Sequence, residues 1–356
     1  MSLPLQKEVL NMTKKVGFGI IGAGAISAFH ASSMANLENV KLLGFYDPVK
    51  AAAEKRAAEF NCKAYDDFEA FLADQEIQAV TIGIPTGLHG KVAIQAANAG
   101  KHILCEKPLE ITPGRCDEII QACEENHVLL ATVFQSRFTE SVQKVKDAAD
   151  AGRFGKMILS SAQVRWYRDA DYYGKSPWRG TWKMDGGGVL INQSIHTVDL
   201  LLYLNGDPAE VSAFAGTLTH DIEVEDTLCA AVRYKNGSMG TIEVSSSCAP
   251  GFPRRLEFSG SKGSVTIEED QIVRWSFTEP QPGDESVATR FDGNAGGGSN
   301  PTNIRPDSHS VQIKDLADAI LNGGTPILDG VEGKRAVSFI HGIYEAARTG
   351  KTVVFH

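Results

Sequence analysis

Six apolar residues, Val16 to Ile21, run without interruption into Gly22-Ala23-Gly24-Ala25-Ile26-Ser27. A strand that is apolar on both faces reads as a buried parallel strand, and parallel strands need crossover helices, so this junction commits the chain to an α/β layout. The glycine pattern is Gly-x-Gly-x-x-Gly with Ser27 at the sixth place. The first glycine makes the turn and the second lets a pyrophosphate approach the backbone, while the third position needs only a small residue where helix meets strand. A second apolar run, Val40 to Tyr46, ends at Asp47, roughly 20 residues on, where an acid takes the ribose of an adenosine. Asp47 reads equally as the N-cap of the helix that follows, and the two roles are compatible. Pro48 and Val49 offer no cation for a 2′-phosphate, and Lys50 is the nearest one; NAD is therefore favoured over NADP. Gly22, Gly24, Ala25, Ile26 and Asp47 are the expected cofactor contacts.

The alternation continues. Helical patterns over Val49–Phe60, Asp66–Ala73, Pro85–Ala99 and Pro113–Asn126 separate apolar runs at Ala79–Ile84, Ile103–Cys105 and Val128–Val133, which predicts a doubly wound parallel sheet. Ligands of such sheets sit beyond the carboxyl ends of the strands. Pro85, His89, Glu106, Lys107 and Gln135 all follow strand ends and are expected around one crevice, as cofactor contacts. Of these, Lys107 carries the most chemistry. It stands in His102-Ile-Leu-Cys-Glu-Lys-Pro108, where the proline holds the preceding residue extended.

Beyond Thr139 the pattern changes to longer strands with few helices between them: Met157–Tyr167, Glu210–Leu218, Thr227–Tyr234, Ser238–Ser246, Arg255–Ser259, Ser264–Glu268 and Ile272–Phe277. Lys235-Asn236-Gly237-Ser238 and Gly260-Ser261-Lys262-Gly263 are hairpin signals. This predicts an α+β second domain with a large, mostly antiparallel open sheet, whose bare face suits a homodimer or homotetramer. The expected division is 1–137, a Rossmann domain, and 138–356, a substrate and oligomerisation domain. Gly283 to Asn303 is rich in Gly, Asn and Ser and reads as a mobile loop, and Ser308–Leu321 and Val331–Thr349 as closing helices.

A second informative segment is Trp178-Arg179-Gly-Thr-Trp182 followed by Asp185-Gly-Gly-Gly188 and a helical pattern from Val189 to Leu204. Asn192 and His196 are i and i+4 and share a helix face. Asp199 is placed to hold the other imidazole nitrogen; a core histidine would show the same spacing. Three consecutive glycines imply a close backbone approach, which points to a site. Trp178 and Arg179 suit stacking on a cofactor or substrate, or anchoring a loop. Arg165, Arg168 and Lys183 are candidates for an anionic group or for surface ion pairs.

The net charge of -9 argues against nucleic acid and anionic membranes as partners. No run approaches the ~20 apolar residues of a membrane span, and Pro4, Gln6, Lys7 and Glu8 interrupt any signal-peptide core. The six cysteines show no metal-ligand spacing and read as reduced thiols in the cytoplasm; no metal is expected.

The chain resembles the glucose–fructose oxidoreductase / inositol dehydrogenase (Gfo/Idh/MocA) family in GFGIIGAGAIS at 17–27, Asp47, IPTGLH at 84–89, GKHILCEKPL at 100–109, GGGVLINQSIHTVDLLLYLNG at 186–206 and the closing TGKTVVF. The resemblance implies NAD(P) between two domains, Lys107 as the catalytic lysine with a cis bond to Pro108, and His196 at the acid/base position. The family's polyol dehydrogenases carry aspartate where this chain has Asn192, which can orient a hydroxyl but not accept its proton. The WRGTW…GGG…NQSIH version looks more like the nucleotide-sugar and sugar 3-dehydrogenase relatives. The implied activity is hydride transfer between a ring carbinol of a sugar or sugar derivative and NAD, with Lys107, His196 and Asn192 at the reacting oxygen. Two alternatives stand beside it: an NAD-retaining enzyme that cleaves glycosides through transient C3 oxidation, and a non-catalytic, cofactor-sensing regulatory protein.

Overall fold

A computed structural model describes residues 14–289 and 307–356. The first half builds a six-stranded parallel sheet from β1 (Val16–Ile21), β2 (Val40–Tyr46), β3 (Lys63–Tyr65), β4 (Ala79–Ile82), β5 (His102–Cys105) and β6 (Leu130–Thr132), in the order β3-β2-β1-β4-β5-β6. Helices α1 (Ala25–Met34), α2 (Lys50–Glu59), α3 (Phe68–Ala73), α4 (His89–Asn98) and α5 (Pro113–Glu125) form the crossovers. The order reverses at β1, so the glycine turn and the β4 loop open on one crevice. Every residue of β1 and β4 is buried, as continuous apolar runs require. Local chemistry sets the helix starts: Asp67 caps α3 by accepting from Ala70 N at 2.6 Å, and Thr112 caps α5 ahead of Pro113.

The second half begins with α6 (Glu140–Asp150) and builds an eight-stranded sheet. Its strands are β7 (Met157–Arg165), β8 (Pro208–Gly216), β9 (Thr227–Tyr234), β10 (Met239–Ser245), β11 (Arg255–Gly260), β12 (Gly263–Glu268), β13 (Gln271–Phe277) and β14 (Val353–Val354). The order is β13-β12-β11-β7-β10-β9-β8-β14, antiparallel except for β7 beside β10. After β7 come a short helix, α7 (Ala170–Gly174), and then α8 (Ile195–Asn205), which packs on β7 and β11. The opposite face carries Leu159, Phe214 and Met239, all exposed. Among the described residues no helix is long and apolar enough to cross a membrane.

Three features depart from the sequence reading. The three-residue β3 is too short to leave a periodicity. The Val189–Leu204 helix is not continuous: Val189–Gln193 forms a π-helical turn, Ser194 breaks it, and α8 starts at Ile195. The last two helices divide between the sheets: α9 (Asp307–Asn322) packs on the first, whereas α10 (Gly330–Thr349) lies mainly on β8 of the second and also reaches α5 and β6. Ile313, Leu316 and Ala317 of α9 pack with Val16, Phe18 and Leu104 in the core of the first sheet. Of the Gly283–Asn303 stretch only the first residues are described, and there Asp284 is tied to Arg153 at 2.6 Å and to Trp275 Nε1 at 2.7 Å; the rest lies outside the described residues.

Candidate functional site

The glycine turn leaves β1 at Gly22, whose φ of +102° is open to glycine and strained for other residues. A Cβ there would lie 2.5 Å from Gly83 O, whereas one on Gly24 would meet nothing within 4 Å. Gly24 and Ala25 are exposed, Ile26 is half-buried, and α1 begins with no side-chain cap and no acid in its first turn. An uncapped helix N-terminus beneath an open glycine is a ready anion site, and the turn fits a dinucleotide pyrophosphate. Asp47 stands at the end of β2, with Oδ2 accepting from Ala23 N at 2.9 Å and Oδ1 from Val49 N at 2.8 Å. The carboxylate is thus fixed at the lip of the turn. Arg56, which the sequence reading did not single out, reaches the same lip through Ala23 O and Gly24 O. Lys50 is turned to Asp66 at 3.0 Å.

At the neighbouring strand ends, the Lys107–Pro108 bond is cis, as the resemblance implied, and Ala249–Pro250 is a second cis bond. His89 is 1% exposed, with Nδ1 2.9 Å from Pro108 O and Nε2 2.9 Å from Ile84 O. Its ring therefore braces the loop after β5 against the loop after β4. Glu106 is also committed inside the protein. Oε1 faces His30 Nε2 at 2.8 Å and His309 Nε2 at 3.6 Å, and Oε2 accepts from Lys107 N at 3.1 Å. Burial works to raise its pKa, but the two histidines hold the carboxyl well below its usual range. The ligand atoms of His30, Glu106 and His309 lie within 4.8 Å of one another, the one such grouping among the described residues. The His30–Glu106 hydrogen bond accounts for that approach without an ion. Pro85 is half-buried at the start of a 3₁₀ turn, Thr86–Leu88. Gln135 opens another such turn, with Oε1 buried and without a hydrogen-bond partner.

Lys107 is half-buried and donates from Nζ to Asn192 O at 2.9 Å, across to the π turn. Burial lowers its pKa, Arg179 adds to that, and Glu106 and Asp185 oppose it. His196 is near enough for the Lys107 ammonium to disfavour its protonation; burial first, then Lys107 and Arg254, keep the imidazole pKa well below its usual value. The ring stands edge-on to Phe134 at 5.9 Å, and Nδ1 is buried without a partner. Asp199 does not hold that nitrogen, contrary to expectation. It is bonded to Arg137, Nε to Oδ2 at 2.8 Å and Nη2 to Oδ1 at 2.5 Å, and Arg137 also meets Glu332 at 2.8 Å. A buried carboxylate is satisfied far better by a forked guanidinium than by one neutral imidazole. The ion triad instead pins α8, and with it His196, to the loop after β6.

The three glycines do make close approaches, but to protein. Added Cβ atoms at Gly186, Gly187 and Gly188 would lie 2.8 Å from Ile111 Cβ, 2.3 Å from Tyr344 Oη and 1.7 Å from Glu225 O. Asp185, immediately before them, is the main residue the sequence reading passed over. It is 2% exposed and accepts from Asn192 Nδ2 and from Gly180 N at 3.0 Å. Trp178 is half-buried, and the Arg179 guanidinium lies over its ring at 5.2 Å and over Tyr172 at 4.4 Å. Arg165 forms a surface pair with Glu243 at 2.6 Å, while Arg168 is buried over Trp166 and Tyr172. Lys183 is exposed.

The family model described as "Oxidoreductase family, NAD-binding Rossmann fold" matches residues 16–134, and the "GFO/IDH/MocA C-terminal domain" model matches 142–266. The WlbA dehydrogenase of Bordetella pertussis, solved with NADH and UDP-GlcNAcA, is 30% identical, with a TM-score of 0.88 over 96% of this chain and 98% of that one. The chain is a Gfo/Idh/MocA oxidoreductase. The myo-inositol 2-dehydrogenase of Thermotoga maritima is 26% identical over 330 residues, 90% of this chain and 92% of that protein. A levoglucosan dehydrogenase solved with NADH and L-sorbose shares the fold at 22% identity and a TM-score of 0.84, over 96% and 99% of the two chains. This Gfo/Idh/MocA oxidoreductase is an NAD-dependent dehydrogenase, and the open glycine turn described above fits that cofactor.

Proposed function

We propose that this protein oxidises a ring carbinol of a sugar or sugar derivative, with His196 and Lys107 acting on the reacting oxygen. The carrying observation is the pairing itself: a histidine kept neutral and a lysine anchored across the crevice, beside an open dinucleotide turn. Gly22, Gly24, Ala25, Ile26 and Asp47 hold the adenosine and pyrophosphate of NAD, and Pro85, Glu106, Gln135 and Trp178 border its nicotinamide end. When bound, NAD supplies the acceptor for the hydrogen that leaves carbon as hydride.

His196 takes the hydroxyl proton as general base, which its depressed pKa permits because the imidazole is unprotonated at neutral pH. Lys107 donates to the same oxygen and stabilises the alkoxide character that develops there. Asn192 spends its amide nitrogen on Asp185; its Oδ1 is then the acceptor that orients a substrate hydroxyl. Carbon loses a hydride, oxygen loses a proton, and a ketone remains. Asparagine at 192 favours sugar derivatives over inositol, in line with the UDP-sugar acid bound by the WlbA relative. The exposed sheet face with Leu159, Phe214 and Met239 suits a homodimer or homotetramer, and the free thiols suit the cytoplasm.

The test is NADH formation against a panel of free sugars, sugar acids and UDP-sugars, followed by Lys107→Ala on the best substrate. Turnover is expected to vanish while NAD binding stays within a few-fold. A variant that still turns over would overturn the assignment.

A further inference from the structure

Asp185 has no part in the reaction as described, yet its surroundings are those of a working residue. It is 2% exposed, and both carboxylate oxygens are taken, Oδ1 by Asn192 Nδ2 and Oδ2 by Gly180 N at 3.0 Å. A carboxylate only accepts, so this contact decides which way the Asn192 amide faces. The main-chain carbonyl of the same residue is the acceptor for Lys107 Nζ at 2.9 Å. Asn192 sits in a π-helical turn, Val189–Gln193, closed by Ser194 N to Val189 O at 2.9 Å. A turn with that irregular ladder has fewer internal constraints than an α-helix, and the side-chain tie to Asp185 supplies one. The same carboxylate ties in the Trp178–Gly180 turn that carries Arg179.

We propose that Asp185 is a positioning residue for Lys107: through Asn192 it fixes the carbonyl that anchors the lysine, and its charge favours the ammonium form. The inference rests on Lys107 acting at the reacting oxygen, but the charge coupling can be read without any substrate. The titratable and charged groups that face Lys107 are Glu106, Asp185, Arg179 and His196, and those that face Asp185 are Lys107 and Arg179, with the hydroxyls of Tyr172 and Tyr173 also within its field. Burial pushes the Asp185 carboxyl up to about 6, so the anion predominates above that pH.

The experiment measures the pH dependence of Lys107 acylation by a small amine-directed anhydride, read by peptide mass mapping on the full-length protein without substrate. Asp185→Asn should move the midpoint down by about one pH unit, the scale of one close opposite charge. Asp185→Ser removes the charge without adding an amide and carries the same expectation should the asparagine variant fold poorly. Arg179→Gln should move the midpoint up. General loosening would expose Lys107 and relieve its desolvation, moving every variant upward. An unchanged or raised midpoint in the Asp185 variants overturns the proposal. Because Lys107→Ala tests the reaction and the acylation midpoint tests Asp185, the two readings fail separately.

Discussion

Gly188→Ala is the substitution whose cost the structure determines most directly. Gly188 has a negative φ, -104°, and the effect is worked from the close approach that its missing side chain allows. The added Cβ would lie 1.7 Å from Glu225 O, 2.8 Å from Glu225 C and 2.9 Å from Glu225 Oε2. Reaching ordinary van der Waals contact requires the two segments to part by roughly 1.5–2 Å. Three hydrogen bonds close that seam: Val189 N to Glu225 O at 3.1 Å, Gly188 N to Oε2 at 2.9 Å and Leu190 N to Oε1 at 2.9 Å. Glu225 is 5% exposed, so water does not readily replace them. One neutral bond and two to a carboxyl acceptor amount to a loss on the order of 4 kcal/mol. The turn carrying Asn192 starts at the next residue, and a displacement of about 1 Å there is enough to cost roughly 100-fold in turnover. Urea unfolding of both proteins measures the first effect, with Gly114→Ala as control, since a Cβ at Gly114 meets nothing within 4 Å. The control should be neutral or slightly stabilised. A Gly188→Ala protein within ~1 kcal/mol of the parent would show that the seam repacks without penalty, and the reasoning would be wrong.

Asp47→Ala removes both the proposed ribose acceptor and the brace on Ala23 N; NADH affinity by fluorescence titration should fall at least ~10-fold, or ~1.4 kcal/mol, and an unchanged Kd would remove Asp47 from the site. Asp199→Asn leaves the Arg137 guanidinium with Glu332 as its remaining carboxylate and should destabilise the protein by about 3 kcal/mol in chemical denaturation; a neutral outcome would mean that the triad does not pin α8. Asp226 is fully buried, and although burial works to raise its pKa, the N–H groups of Leu218, Thr219 and His220 hold it well below the usual carboxyl range. A depressed carboxyl contributes stability that is present above its unfolded pKa, near 4, and lost as the pH falls further. The stability gap between the parent and Asp226→Asn should therefore be flat from neutral pH to about 4.5, on the order of 2 kcal/mol, and shrink below about 4. A gap that widens in acid would reverse the assigned sign.

What could be read from the sequence was what is local in the chain. The glycine turn, Asp47 and the Lys107–Pro108 strand end carry their geometry within a few residues, and the structure puts all three at one edge of the parallel sheet. Partner choice was not local. Asp199 lies one turn from His196, but Arg137, 62 residues away, offers two charged N–H groups. The run of glycines signalled close approach correctly, while nothing in the run names Ile111, Tyr344 and Glu225 as the neighbours. Asp185 adjoined that run and could have been flagged as a buried acid beside a turn; its meaning depends on Asn192 and Gly180, which only the folded turn brings to it.

The charges around the crevice also bear on the proposed division of one proton transfer between a lysine and a histidine. Two cations, Lys107 and Arg254, act on His196, while Glu106 opposes them. The imidazole is therefore the group that stays unprotonated, and its lone pair is available to a hydroxyl. Burial and Arg179 disfavour Lys107 as a cation, while the Glu106 and Asp185 carboxylates oppose them; in the proposed reaction it is the donor. The proposed donor and acceptor thus differ in their shares of the same local charges. Moving one carboxylate from the lysine's side to the histidine's would raise the imidazole pKa and remove the base at neutral pH. Asp199, one helical turn from His196, is engaged by the Arg137 guanidinium instead.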